Sequence, residues 1–160
     1  MQKIIVSDTS CLILLDKLDQ LDLLSALFGE ITITQIVADE FGKQLPKFIK
    51  IENPQNLVYQ KILESFIDIG EASALSLALE KKDCLLIMDD NKGRREAKQL
   101  GLRFTGTLGV LIIAKQKGVI NSLTEILDKI KKTDFRLSDA LIKYAIKRSD
   151  EPPPAPNKRS

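Results

Sequence analysis

Ile4-Ile5-Val6-Ser7-Asp8-Thr9-Ser10 stands near the start of the chain, and its pattern returns at Cys84-Leu85-Leu86-Ile87-Met88-Asp89-Asp90. In both places a short apolar run ends in an acid. Such runs lack the alternation of a half-exposed strand and match strands buried on both faces of a parallel sheet. Parallel neighbours need crossover connections, and helices fill that role. Right-handed crossovers bring every strand end to one edge, and open α/β sheets bind ligands at that edge. Asp8 and Asp89-Asp90 are therefore expected at the ligand-binding edge of an α/β fold.

The intervening segments agree with this. Thr9 or Ser10 can cap a helix that begins at Cys11 and keeps leucines on one face through Phe28, with a break near Asp16 to Gln20. Ile31-Thr32-Ile33-Thr34 alternates like a strand, and 35–45 reads as a helix that stops before Pro46. Residues 48–56 show no clear pattern, and Pro54 favours a loop there. A helix over 57–66, a break at Gly70 and a helix over 71–82 lead to the strand 84–88. A helix over 91–100 then closes at Gly101, before a short strand at 102–104. Helices are expected over 107–117, over 123–132 from a capping box of Ser122 and Glu125, and over 139–148 after Ser138. The expected architecture is a three-layer α/β/α sandwich around a parallel sheet of about four strands. One domain spans 1–148, and the proline-rich 149–160 reads as a disordered tail.

Composition narrows the class. At 160 residues, 44% hydrophobic and 29% charged, the chain can bury a core without staples. It has no apolar stretch of about 20 residues, so no membrane span is expected. The N-terminus lacks the apolar core of a signal peptide, which makes the cytoplasm the default location. Cys11 and Cys84 lie in apolar surroundings and read as reduced, buried thiols. The chain has no histidine, and two cysteines alone cannot build an ordinary structural zinc site. A net charge of +2 carries no overall nucleic-acid signal and leaves room only for a local basic patch.

Five acids stand out. Asp8 follows the first strand, where an ordinary helix N-cap is the competing reading. Asp89 and Asp90 repel each other unless a cation compensates, and Lys92, Arg94 and Arg95 follow closely enough to do so. Neighbours in an extended segment point opposite ways, so Asp89 is expected to face the site with Asp90 in support. Glu40 lies three and four residues after Val37 and Ile36, near the buried side of its helix. Glu71 follows Gly70 at a helix start, where a negative charge is also favourable in its own right. Carboxylates gathered without histidine favour a hard cation such as Mg²⁺ or Mn²⁺. Such a cation lowers the pKa of bound water and neutralises charge on phosphodiester oxygens. Ser10 can support a metal ligand, and Thr107 can orient a phosphate at a helix start or act as a plain cap. Lys92, Arg94 and Arg95 can meet an RNA backbone or form a solvated helix face.

In combination these residues resemble the PIN-domain family. The resemblance is carried by Ile5-Val6-Ser7-Asp8-Thr9-Ser10, the helix containing Glu40 and the strand ending at Asp89. Gly70-Glu71-Ala72, Asp89-Asp90-Asn91-Lys92-Gly93-Arg94 and Thr105-Gly106-Thr107-Leu108-Gly109-Val110 are similar to one subgroup of that family. The resemblance implies an α/β/α, Mg²⁺- or Mn²⁺-dependent ribonuclease of the VapC-like toxin kind. It implies Asp8, Glu40 and Asp89 as metal ligands, and puts Glu71 where many members carry aspartate. Ser10 matches the hydroxyl often found two residues after the first acid. It also implies RNA as substrate, a homodimer and a small antitoxin protein as partner.

Two other classes compete. A PIN-like module that binds RNA or protein without cutting would use the same fold. A receiver-like domain would carry its acidic pair at the first strand, and a haloacid-dehalogenase-like phosphatase would carry two acids spaced by one residue there. Asp8-Thr9-Ser10 lacks that second acid.

Overall fold

A computed structural model describes residues 3–149. They fall into two compact units, one running through Thr107 and one beginning at Leu108. The first unit contains β1 (Ile4–Ser7), α1 (Thr9–Lys17), α2 (Asp22–Phe28), β2 (Ile31–Ile33), α3 (Gln35–Phe41), β3 (Ile49–Ile51), α4 (Leu57–Leu63), α5 (Ile69–Glu80), β4 (Cys84–Ile87), α6 (Asn91–Gln99) and β5 (Arg103–Thr105). Then come α7 (Thr107–Gln116), which starts at the boundary, α8 (Leu123–Lys131) and α9 (Asp139–Arg148).

Five parallel strands pair in the order β3-β2-β1-β4-β5. The fold is α/β, with a parallel sheet flanked by helices, as the apolar runs require. β1 and β4 lie side by side at the centre, with Val6 opposite Leu86 and Ser7 opposite Ile87. Chain order reverses between them, so the topological switch point of the sheet lies at their C-terminal ends. Both acid-terminated runs arrive at that point. Val6, Leu86, Ile87 and Met88 are fully buried, together with the α5 residues Ala72, Leu75, Leu77 and Ala78. Burial around most of α5 explains why its sequence reads apolar on nearly every side.

The sheet has one strand more than the sequence pattern indicates. β3 occupies the unassigned 48–56 segment and pairs with β2 at the edge, Ile49 opposite Ile31 and Ile51 opposite Ile33. Three residues, of which Lys50 and Ile51 are exposed, carry too little periodicity to announce a strand. Other boundaries move for local reasons. Gly42 adopts a left-handed φ of 71° and ends α3 ahead of the expected 45. α5 begins at Ile69, so Gly70 lies inside its first turn rather than breaking the chain.

In the second unit, Leu123, Ile126, Leu127 and Ile130 form the buried face of α8 at three- and four-residue spacing. Ser149 is buried and caps α9 by donating from Oγ to the Ile146 carbonyl at 2.9 Å. The rest of the tail, 150–160, lies outside the described residues. Cys11 and Cys84 are free and buried. Among the described residues, no helix is long and apolar enough to cross a membrane.

Candidate active site

Asp8 leaves β1 and becomes the N-cap of α1, accepting from the Cys11 N–H through Oδ1 at 3.1 Å. Its other oxygen accepts from the Asp89 N–H at 2.9 Å. Asp8 is therefore both a cap and a tie between the two central strands. It is almost fully buried, with only 1% of its surface exposed. Burial, and then the charge of Asp89, push its carboxyl up to about 7 against the two N–H bonds that favour ionisation. Asp90 adds a smaller push in the same direction. The Cys11 thiol beneath is raised as well, by burial and then by the charges of Asp8 and Asp89.

Asp89 and Asp90 face different partners. Asp89 accepts from the Thr107 N–H at 2.8 Å and from the Thr107 hydroxyl at 2.5 Å. Thr107 thus uses both donors to fix a carboxylate. Asp90 caps α6, accepting from the Gly93 N–H at 3.0 Å. Its charge also bears on Glu71, whose carboxyl is pushed up to about 9 by burial, then by Asp90, then by Asp68. Oε2 of Glu71 is buried without a hydrogen-bond partner among the described residues. Neighbouring carboxyls share a hydrogen bond only when one is protonated, which is why proximity raises the pKa. A cleft of about 540 Å³ opens beside them, lined by Glu64, Phe66, Asp68, Glu71, Asp90 and Lys92 among others.

Glu40 reaches in from α3 and is exposed. It accepts from the Thr9 hydroxyl through Oε1 at 2.6 Å. Ser10, the other hydroxyl of that turn, is exposed on α1. The carboxyls thus form two neighbouring groups, Asp8 with Asp89 and Glu71 with Asp68 and Asp90, with Asp90 acting on both. Glu40 stands beside Thr9, one residue from Asp8. Among the described residues, no three of these side chains converge into a ready-made metal cage.

Among the three basic residues, Lys92 and Arg95 are exposed on α6, whereas Arg94 turns inward. Its guanidinium lies 5.0 Å from the centre of the Phe104 ring, and Nη1 donates to the Met88 carbonyl at 3.2 Å. Sequence spacing could not separate these two environments, because both depend on where β5 lies.

Asp68 enters the site without having been singled out by sequence, and Thr9, Gly70 and Gly106, which sequence marks only as a cap or as motif members, acquire site partners there. Thr9 and Asp68 look like ordinary helix-start residues, and only the position of α3 against α1 makes Thr9 a partner of Glu40. The glycines carry no side chain from which a role could be read.

A family model described as a PIN domain matches residues 4–151. No curated protein and no solved structure shows a significant match to the chain.

Proposed function

Because the chain belongs to the PIN-domain family, whose members are generally nucleases, we propose that it is a Mg²⁺- or Mn²⁺-dependent endoribonuclease. The observation that carries this reading is Asp8, a buried carboxyl set beside Asp89 and Asp90 at the switch point of the sheet. Like-charged carboxyls are destabilising there unless a cation joins them. Their hard oxygens and the orphaned Oε2 of Glu71 fit a hard divalent ion. On this reading Asp8, Glu40, Glu71 and Asp89 hold the ion, with Asp90 in support.

The ion, when bound, supplies an activated water and neutralises charge on the phosphodiester. The remaining tasks belong to the chain. Thr107 fixes Asp89 with two donors, so the carboxylate enters the reaction already oriented. Thr9 does the same for Glu40 through one donor. Glu71, protonated near neutral pH before an ion binds, must release its proton to act as a ligand. Lys92 and Arg95, exposed on α6, meet the RNA backbone. Ser10 is in reach of solvent at the same strand end and supports the ligand set.

We further read the protein as the toxin of a toxin–antitoxin pair, working as a homodimer in the cytoplasm. Leu57, Val58 and Ile62 on α4, with Phe66 and Ile69 beyond it, offer exposed apolar surface that supports a protein partner such as a small antitoxin. The family match runs through both compact units, which supports taking 1–148 as one nuclease domain.

The deciding experiment is cleavage of mixed RNA in Mg²⁺, in Mn²⁺ and in chelator. Wild type is expected to cut only with metal, and Asp8→Asn not at all. Equal cutting by both proteins rejects the assignment. A second reading, a PIN-like module that binds without cutting, is favoured by one observation: among the described residues, the acids do not by themselves close into a cage. RNA binding with no cleavage in either metal would select it.

A further inference from the structure

Seven of the eight glycines divide into two kinds. Gly29, Gly42, Gly101 and Gly118 have φ between 71° and 79°, and a Cβ on any of them would meet nothing closer than 3.7 Å. Backbone conformation accounts for these four. Gly70, Gly93 and Gly106 have no such φ, so any L-residue could take their backbone angles. Space sets them apart. A Cβ on Gly70 would overlap the Glu40 carboxyl, 2.8 Å from Cδ and closer still to Oε1. On Gly93 it would lie 2.7 Å from Met88 Sδ and 3.2 Å from Glu71 Oε2. On Gly106 it would lie 2.8 Å from Asp89 Oδ1 and 2.7 Å from Arg94 Nη1.

We propose that Gly70 and Gly106 are positioning residues of the acidic site, each leaving out a carbon whose place a site carboxyl takes, with Gly70 as the seat of Glu40, while Gly93 keeps the same kind of space chiefly for the Met88 side chain beneath Glu71. The proposal deepens the metal-dependent reading and rests on it for its functional consequence. Its geometry stands apart from that reading. Glu40 is long, exposed and on α3, while Gly70 is in the first turn of α5. The Thr9 hydroxyl holds the carboxyl from one side, and the bare backbone of Gly70 lets it lie flat on the other. The three atoms that come nearest to a methyl at Gly70 all belong to the far end of one flexible side chain, Glu40. Glu40 therefore swings away, its Thr9 bond breaks, and the fold remains. The other two glycines give less separable tests. Met88 is fully buried, so Gly93→Ala also disturbs the core. Asp89 is held by both donors of Thr107, so Gly106→Ala strains a fixed group.

The test compares wild type, Gly70→Ala, Glu40→Ala and the double variant as full chains. Mn²⁺ affinity is read by calorimetry, Tm by scanning, and the Glu40 carboxyl ¹³C resonance by NMR in metal-free protein. Gly70→Ala is expected to weaken Mn²⁺ binding about fivefold or more, with Tm at or above wild type because alanine favours the helix. Its Glu40 resonance should shift, and the double variant should bind Mn²⁺ no more weakly than Glu40→Ala. Wild-type affinity in Gly70→Ala, or the full extra loss in the Glu40→Ala background, overturns the proposal. If wild type takes up no Mn²⁺, the metal-dependent reading fails, and the resonance alone decides this one: an unmoved Glu40 signal overturns it. If Gly70→Ala unfolds, recovery of the wild-type Tm in the double variant supports the collision with Glu40, and no recovery refutes it.

Discussion

Replacing Asp8 by asparagine should stabilise the metal-free protein in alkali and not in acid. The Asp8 carboxyl rises from 3.8 to about 7 on folding, first through burial and then through Asp89. Between those values the folded chain binds a proton that the unfolded chain has released, so stability falls as pH rises through the window and levels off above about 7. At about 1.4 kcal/mol per tenfold change in proton affinity, the penalty is about 1 kcal/mol near pH 4.5 and about 4 kcal/mol above pH 7. Asparagine carries no charge and escapes it. It also keeps one acceptor in place of two, so either the Cys11 or the Asp89 N–H faces an amide NH₂. That loss is about 1–3 kcal/mol at every pH. The balance should be level or unfavourable at pH 4.5 and favourable by roughly 1–3 kcal/mol at pH 8. Urea unfolding with chelator at the two pH values measures it. A variant whose disadvantage is the same at both pH values, or grows in alkali, would refute the burial-and-repulsion account of this carboxyl. Adding divalent metal at pH 8 should restore the wild type and leave the variant unchanged.

Other expectations follow from single contacts. Mn²⁺ binding by wild type should release protons near neutral pH, because Asp8 and Glu71 are both raised; calorimetry in buffers of different ionisation enthalpy reads the number. Thr107→Val removes the hydroxyl bond to Asp89 and should cost about 1.5–3 kcal/mol of stability by urea unfolding, most of it returned by Thr107→Ser. Alanine at both Lys92 and Arg95 should flatten the salt dependence of RNA binding by about 1.4 in the log–log slope, at about 0.7 per phosphate contact. Arg94→Met should leave that slope unchanged and lower Tm instead, since its guanidinium is committed to Phe104 and the Met88 carbonyl.

Much of the fold is legible in residue order. The branched runs before Asp8 and Asp89 are strands because little else tolerates such runs, and their parallel pairing follows from the helices between them. Polar punctuation marks the helix starts well: Ser122 and Ser138 both cap as their spacing indicates. β3 escaped because three residues at a sheet edge are held by pairing to β2 rather than by their own pattern. Gly70 reads as a break in sequence yet sits within the first turn of α5, which starts at Ile69 directly after the extended Asp68 and without a side-chain cap to announce it.

Local chemistry alone determined that acids would arrive at strand ends and helix starts, since apolar strand patterning and capping preferences act over a few residues. Tertiary structure decided what each acid meets. Asp8 lies beside Asp89 only because β1 pairs with β4 across some eighty residues of chain. The same folding turned Arg94 inward, made Thr107 a double donor and left room at Gly70 for a distant carboxyl. Burial and charge repulsion depend on neighbours in space, and sequence order does not contain those neighbours until the sheet has formed.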